Sequence, residues 1–254
     1  MLDERQKLIS CMLDIGKAMF KSGAEISRVE DTLIRIGRSY GAKRVNAFAL
    51  ASLILVSIEF SDGEEITRTR RIRKGLQNDF VKLEAFNALS RRFCEGNMSV
   101  DSLYDGYLAI SSKKPSKLII YSGSALASGA FAMFFGGNIF DSVVSALFGI
   151  LICLMQQKLT PLCRNNITFV VIASFITGLC ISLVSAPFGF MHADKIMIGD
   201  IMLLVPGISI TNSVRDIFVG DTITGSMSFV ESILSAGALA VGFMLAIFFA
   251  GGII

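Results

Sequence analysis

The sequence predicts a helical membrane bundle joined to an N-terminal soluble α+β domain, and three observations carry that reading. The chain of 254 residues is 52% hydrophobic, with a mean hydropathy of +0.62, too apolar for a soluble protein of this size. Its charges are unevenly placed: residues 1–115 hold 19 of the 24 Lys and Arg and 15 of the 21 Asp and Glu, leaving five basic and six acidic groups to the remaining 139 residues. From residue 118 onward the apolar residues gather into five runs. Four of them approach the ~20 residues that cross a bilayer as a helix.

The N-terminal elements follow from period. Asp3–Ser22 carries Leu8, Met12, Ile15 and Met19 at helical spacing, and Gly23 ends that helix. A second helix over about Ala24–Tyr40 stacks Ile26, Val29, Leu33 and Ile36 and stops at Gly41. The period then changes. Asn46–Phe60, rich in β-branched and aromatic residues, reads as one or two strands; Ser61-Asp62-Gly63 makes a turn; Glu65–Ile72 reads as a further strand. Phe80–Cys94 and Val100–Ser111 return to helical period on either side of Gly96-Asn97. Residues 1–112 are therefore expected to form one small α+β domain, with 113–117 as a linker in which Pro115 stops a continuous helix.

The membrane domain is expected over 118–254, with spans near 118–136, 139–157, 167–189, 196–212 and 229–252, the fourth broken at Pro206-Gly207. If every span crosses, Lys113, Lys114, Lys117, Lys158, Arg164 and Arg215 fall on one side and only Lys195 on the other. The positive-inside rule then puts the N-terminal domain in the cytoplasm and the C-terminus outside. An odd number of spans suits half of an inverted repeat. Rows of small residues (Gly123 and Ala127; Ala125 and Gly129; Asp141, Ser145 and Gly149; Ser174, Gly178 and Ser182) would let helix backbones approach closely, ordinary packing being the plain reading of each.

Several classes are disfavoured. The charged N-terminus, MLDERQKLIS, is not a cleavable export signal. A net charge of +3, dispersed, does not suggest nucleic-acid binding. The five cysteines form no CxxC and His192, the only histidine, has no ligand partner near it in sequence, so no metal or other cofactor is expected. Nucleotide-binding and common hydrolase motifs are missing from the sequence.

Polar residues inside apolar spans are the stronger functional signal, because they are costly in hydrocarbon and usually line a solute or ion path. Asp141, Asp200 and Glu231 lie at or within the spans. A carboxyl group there is a candidate proton carrier, with a helix cap or interfacial position as the alternative, strongest for Asp141 and Glu231. The stretch PGISITNSVRDIFVGDTITG (206–225) supplies candidate substrate contacts. Arg215 offers a fork to a carboxylate, Asn212 and Asp216 can take an ammonium group, and the Pro206-Gly207 break frees backbone groups. The plain alternative makes Arg215 an inside-loop anchor paired with Asp216. In the soluble domain, Glu25, Arg28, Thr32 and Arg35 form a stripe, and Asp31 and Arg35 stand one turn apart, the pattern of a solvated face.

Two long segments, SGAEISRVEDTLIRIGRSYG (22–41) and PGISITNSVRDIFVGDTITGSMSFVES (206–232), resemble the threonine/serine exporter family of bacterial membrane proteins. With the layout of soluble domain and spans, the likeness covers essentially the whole chain. Its patterned positions here are Ser22, Gly23, Glu25, Arg28, Glu30 and Asp31, then Pro206, Gly207, Asn212, Arg215, Asp216, Gly220, Asp221, Gly225 and Glu231. The resemblance implies proton-driven export of small amino acids or short dicarboxylates such as succinate across the bacterial inner membrane. Single-chain members continue into a second membrane half, whereas this chain stops at Ile254. It thus resembles the larger subunit of a split version, which implies a small membrane partner subunit and an oligomeric assembly. A membrane-tethered enzyme and a metabolite-sensing regulator are the competing classes; the soluble domain would be the active part in either.

Overall fold

The structure, a computed structural model, describes residues 2–50, 52–72, 78–96, 98–163 and 165–251, without the side chains of residues 2 and 3. Arg164 and Asn97 lie outside the described residues. The chain divides into two compact units, residues 1–114 with 212–227, and residues 115–211 with 228–254.

The first unit opens with helices α1 (Leu2–Lys21) and α2 (Ile26–Ser39). Leu8, Met12, Ile15 and Met19 of α1 and Ile26, Val29, Leu33 and Ile36 of α2 are all buried, so the two apolar stripes face a common core. Strands β1 (Arg44–Leu50), β2 (Leu53–Glu59) and β3 (Glu65–Arg71) form an antiparallel sheet in sequence order. Val45 stands opposite Ile58 and Val56 opposite Arg68. The run 46–60 is thus two strands. Ile54, Val56 and Ile58 of β2 point into the core and alternate with half-buried neighbours, as a sheet covered more fully on one face requires. Helices α3 (Phe80–Cys94) and α4 (Val100–Ser112) add Phe86, Leu89 and Leu103 to the same core. Each has a side-chain N-cap: Asp79 accepts from Lys82 N at 3.0 Å and Ser99 from Ser102 N at 3.2 Å.

The second unit is built on α5 (Lys117–Phe134), α6 (Ile139–Leu159), α7 (Asn166–Ser185), α8 (Ala193–Leu204) and most of α10 (Thr222–Gly251). Four helices (α5, α6, α7 and α10) are long and apolar enough to cross a membrane. A fifth span is formed if α8 and α9 (Gly207–Val219), bent by 49° at their break, count as one. Pro206 lacks the N–H that would continue α8, and Ile210 N restarts the ladder on Pro206 O at 3.0 Å.

Small residues set the spacing in this unit. Ser124 Oγ donates to Gly149 O at 2.7 Å and Ser142 Oγ to Gly129 O at 2.9 Å, so α5 and α6 touch backbone to side chain. Gly178 of α7 meets Phe243 and Ala246 of α10. Gly123, by contrast, borders open space.

The polar stretch after the break differs most from expectation. Residues 207–219 are helical, so Arg215 lies on α9 rather than in a loop, and α10 starts seven residues before 229. Helix α9 buries Ser213 and Asp216 while exposing Val214, Phe218 and Val219. Thr211 and Arg215 are exposed as well, so polar residues lie on both sides of the helix.

Candidate functional site

Two constellations hold the sequence-derived candidates, one in each unit. In the second unit, Asp200 sits where α5, α6 and α8 meet and is fully buried. Its Oδ1 lies 2.5 Å from Ser128 Oγ and 3.4 Å from Ser145 Oγ, while Oδ2 is buried with no hydrogen-bond partner. Ser128 Oγ is also 2.6 Å from both Ser145 Oγ and Ser145 O. Ser128 and Ser145 each stand six residues from the α5–α6 turn. At 1.5 Å per residue the carboxyl is thus about 9 Å in from that turn.

The junction is tight. A Cβ on Gly199 would come 2.6 Å from Ser145 Oγ and 2.7 Å from Ser128 O, so only glycine lets α8 seat this closely. Neither serine was singled out as a partner of Asp200 from sequence. Ser145 appeared only in a small-residue row, and Ser128 beside one.

Asp141 has a different setting. It is the fourth residue of a capping box with Asn138: Asn138 N donates to Oδ2 at 2.9 Å and Asp141 N to Asn138 Oδ1 at 2.8 Å. His192 N also donates to Asp141 Oδ1 at 2.9 Å, and His192 Nδ1 lies 2.9 Å from Oδ2. His192 thus has a hydrogen-bond partner in Asp141, though none near it in sequence. Its partner stands 51 residues away, beyond any local sequence signal. Three N–H donors converge on the Asp141 carboxylate, which ties the start of α6 to the residue before α8.

In the first unit, the two signature segments come together. Arg215 Nη1 donates to Glu25 Oε1 at 2.7 Å, across 190 residues of sequence. Arg215 is thus paired with the residue preceding α2 rather than with its neighbour Asp216. Glu25 occupies the N-cap position of α2 without capping it, which leaves its carboxylate for the arginine.

Asp216 is buried one position on, within the electrostatic reach of Asp221, Glu25 and Arg215. Asn212 is half-buried one turn earlier. Asp221 N donates to Asp216 O at 2.9 Å, closing α9. Gly225 then lets α10 pack against it: a Cβ there would lie 2.6 Å from Ile217 Cγ1 and 2.8 Å from Ser213 O.

The rest of the first motif is structural or solvated. Glu30 Oε1 accepts from Ala49 N at 2.6 Å, closing a donor of the edge strand β1. Burial pushes the Glu30 carboxyl above the ordinary glutamate range, an effect reduced by that Ala49 N–H and reinforced by Asp221 and Asp31. Asp31 and Arg35 form the expected i,i+4 pair at 3.8 Å, both exposed. Arg28 lies on the exposed side of α2, and its carbonyl accepts from Thr32 Oγ1 at 2.8 Å. In the second unit Pro206 is half-buried, Gly207 exposed, and Glu231 exposed on α10. Among the described residues, no group of three or more His, Cys, Asp or Glu could hold a metal ion.

An α+β unit, apolar helices long enough to span a bilayer, a broken helix pair and a carboxyl buried between helices mark a multi-pass membrane protein. The chain belongs to the threonine/serine exporter family, ThrE, whose model, described as "Putative threonine/serine exporter", matches residues 10–250. That family is one of transporters rather than enzymes. No curated protein and no solved structure matches the chain.

Proposed function

We propose that this protein is a subunit of a proton-coupled secondary exporter of small amino acids or short dicarboxylates, with threonine, serine and succinate as the solutes to test. It works in the bacterial inner membrane with its N-terminal domain in the cytoplasm and its C-terminus outside. A small membrane subunit supplies the second half of the path. Support for a covered face comes from Glu231, an ionisable residue on an exposed face of a spanning helix, where protein or water is a better neighbour than lipid.

The observation that carries the reading is the meeting of the two signature segments at Arg215. A guanidinium held by one exposed ion pair can exchange Glu25 for the carboxylate of a solute. Asn212 and Asp216, three residues before and one after Arg215 on α9, are the candidate contacts for an ammonium group. Pro206 and Gly207 give the bend that separates this helix from α8. Asp200 is the proton carrier. Asp141 and Glu231, the other carboxylates considered for that role, serve at the start of α6 and on the partner-facing side of α10.

The test is export of threonine, serine and succinate from cells expressing this chain alone and with a candidate small membrane partner. Arg215→Ala should abolish export while the protein remains in the membrane. Unchanged export would remove Arg215 from the site.

A second reading, a metabolite-sensing regulator, is favoured by one observation: residues 212–227 cluster with the N-terminal unit. It predicts solute binding to the purified protein that Arg215→Ala abolishes, with no flux through reconstituted vesicles.

A further inference from the structure

The oxygen contacts around Asp200 can be counted against the protons available to them. Ser128 Oγ has three oxygen neighbours at short range: Asp200 Oδ1 at 2.5 Å, Ser145 Oγ at 2.6 Å and Ser145 O at 2.6 Å. A hydroxyl has one proton to donate and can accept two. The Ser145 carbonyl and an ionised Asp200 Oδ1 can only accept, so they compete for the single Ser128 proton. Ser145 Oγ can donate its own proton to Ser128 Oγ. One of the two competing contacts then has no proton unless Asp200 supplies it.

With Asp200 ionised, two hydroxyl protons would serve three short contacts, and one pair of oxygens would face each other lone pair to lone pair within 2.6 Å. Its Oδ2 would also be a bare buried anionic oxygen. One added proton, on Oδ1, gives each short contact a proton and leaves Oδ2 neutral, though still without a partner.

Among the described residues of the helices packed around Asp200, no group supplies a counter-charge. On α5 the only ionisable residue besides Tyr121 is Lys117, at its first position. On α6, Asp141 lies one turn from Ser145 but is committed to Asn138 and His192, and Lys158 is at the far end. On α8, Asp194 and Lys195 pair with each other in the first turn, at 3.2 Å. Helix α7, which also packs on α8, contributes Cys180 and no charged residue.

We infer that Asp200, Ser128 and Ser145 form a one-proton site in which Asp200 holds the proton on Oδ1 and donates it to Ser128 Oγ, with Ser128 as the positioning hydroxyl. Asp200 is fully buried, and the neighbouring Gly199 seats α8 closely against Ser145 Oγ, Ser128 O and Ala132. Bulk solvent therefore reaches the proton only when α8 separates from α5 and α6, and its release is linked to a change in helix packing. This deepens the exporter reading and rests on it for what the proton drives, though not for the proton's presence.

The test is infrared difference spectroscopy on the full-length protein in liposomes at neutral pH. A neutral carboxylic acid has a carbonyl stretch that carboxylates lack. The inference predicts one such band that Asp200→Asn removes, that Ser128→Ala shifts in frequency, and that responds slowly when the wild-type protein is moved into D2O. Absence of a neutral-acid band in the wild type, or a band unmoved by both substitutions, would overturn it. The slow D2O response is read on the unsubstituted protein, so a misfolded variant does not shield the claim. Failure here leaves the exporter reading standing, because solute flux with Asp200→Asn is a separate measurement. Flux that keeps its proton dependence in that variant would instead remove Asp200 from the coupling role.

Discussion

Replacing Glu25 by Gln separates competition at Arg215 from simple structural support. The pair has an N–O distance of 2.7 Å, with the Arg215 side chain 64% exposed and the Glu25 side chain 23% exposed. Two unit charges at about 4 Å attract by about 1 kcal/mol in water and about 4 kcal/mol at an effective dielectric of 20. Double-mutant cycles on exposed pairs return about 0.2–1 kcal/mol. Because Arg215 is mostly in solvent, the value belongs near the lower Coulomb figure, about 1 kcal/mol.

If a solute carboxylate has to displace Glu25, removing that competitor strengthens apparent binding by the same amount, roughly fivefold. Glu25→Gln should therefore lower the KM for uptake into everted membrane vesicles about fivefold, and the gain should shrink with added salt. In an Arg215→Ala background, where export is lost, the substitution should restore none. A raised KM, or export regained without Arg215, would refute the competition argument.

Two further outcomes follow from packing and charge. Gly225→Ala puts a methyl against Ile217 and the Ser213 carbonyl, so it should cost about 1–3 kcal/mol, read as a lower Tm of the full chain in detergent. An unchanged Tm would mean that α9 and the start of α10 do not pack as described. For Glu30, the folded-state pKa lies above the unfolded one, mainly through burial. Its contribution to stability is thus complete below the ordinary glutamate range and is lost as pH rises through the raised one. Glu30→Gln keeps an acceptor for Ala49 N but cannot ionise, so its Tm should fall less than the wild type's from about pH 4 upward. Parallel curves would show that Glu30 is not the group responsible.

What could be read from sequence was what repeats or breaks locally. The stripes of α1 and α2, the β-rich run 46–60 and the Pro206 break each depend on residues within a few positions of one another, and each appears in the structure. The pairings that make the sites are not local. Arg215 finds Glu25 across 190 residues, Asp200 finds Ser128 across 72, and His192 finds Asp141 across 51. A single sequence gives no signal at that range. The serines show a subtler limit. On a membrane helix, a small polar residue that eases packing and one that holds a buried carboxyl look the same, because both occupy the i,i+4 row of a close interface. Helix α9 illustrates a third case. It buries Ser213 and Asp216 while exposing Val214, Phe218 and Arg215, so polarity alone does not say which of its residues lie inside.

The central claim, solute export coupled to protons through this chain, is tested most directly by reconstitution. Liposomes carrying the protein, with and without a candidate small membrane partner, would be loaded with labelled threonine, serine or succinate and given a pH gradient. The account predicts flux of at least one solute that needs the gradient, collapses with an uncoupler and is lost with Arg215→Ala. Flux that ignores the gradient, or no flux of any of the three with both proteins present, would contradict it.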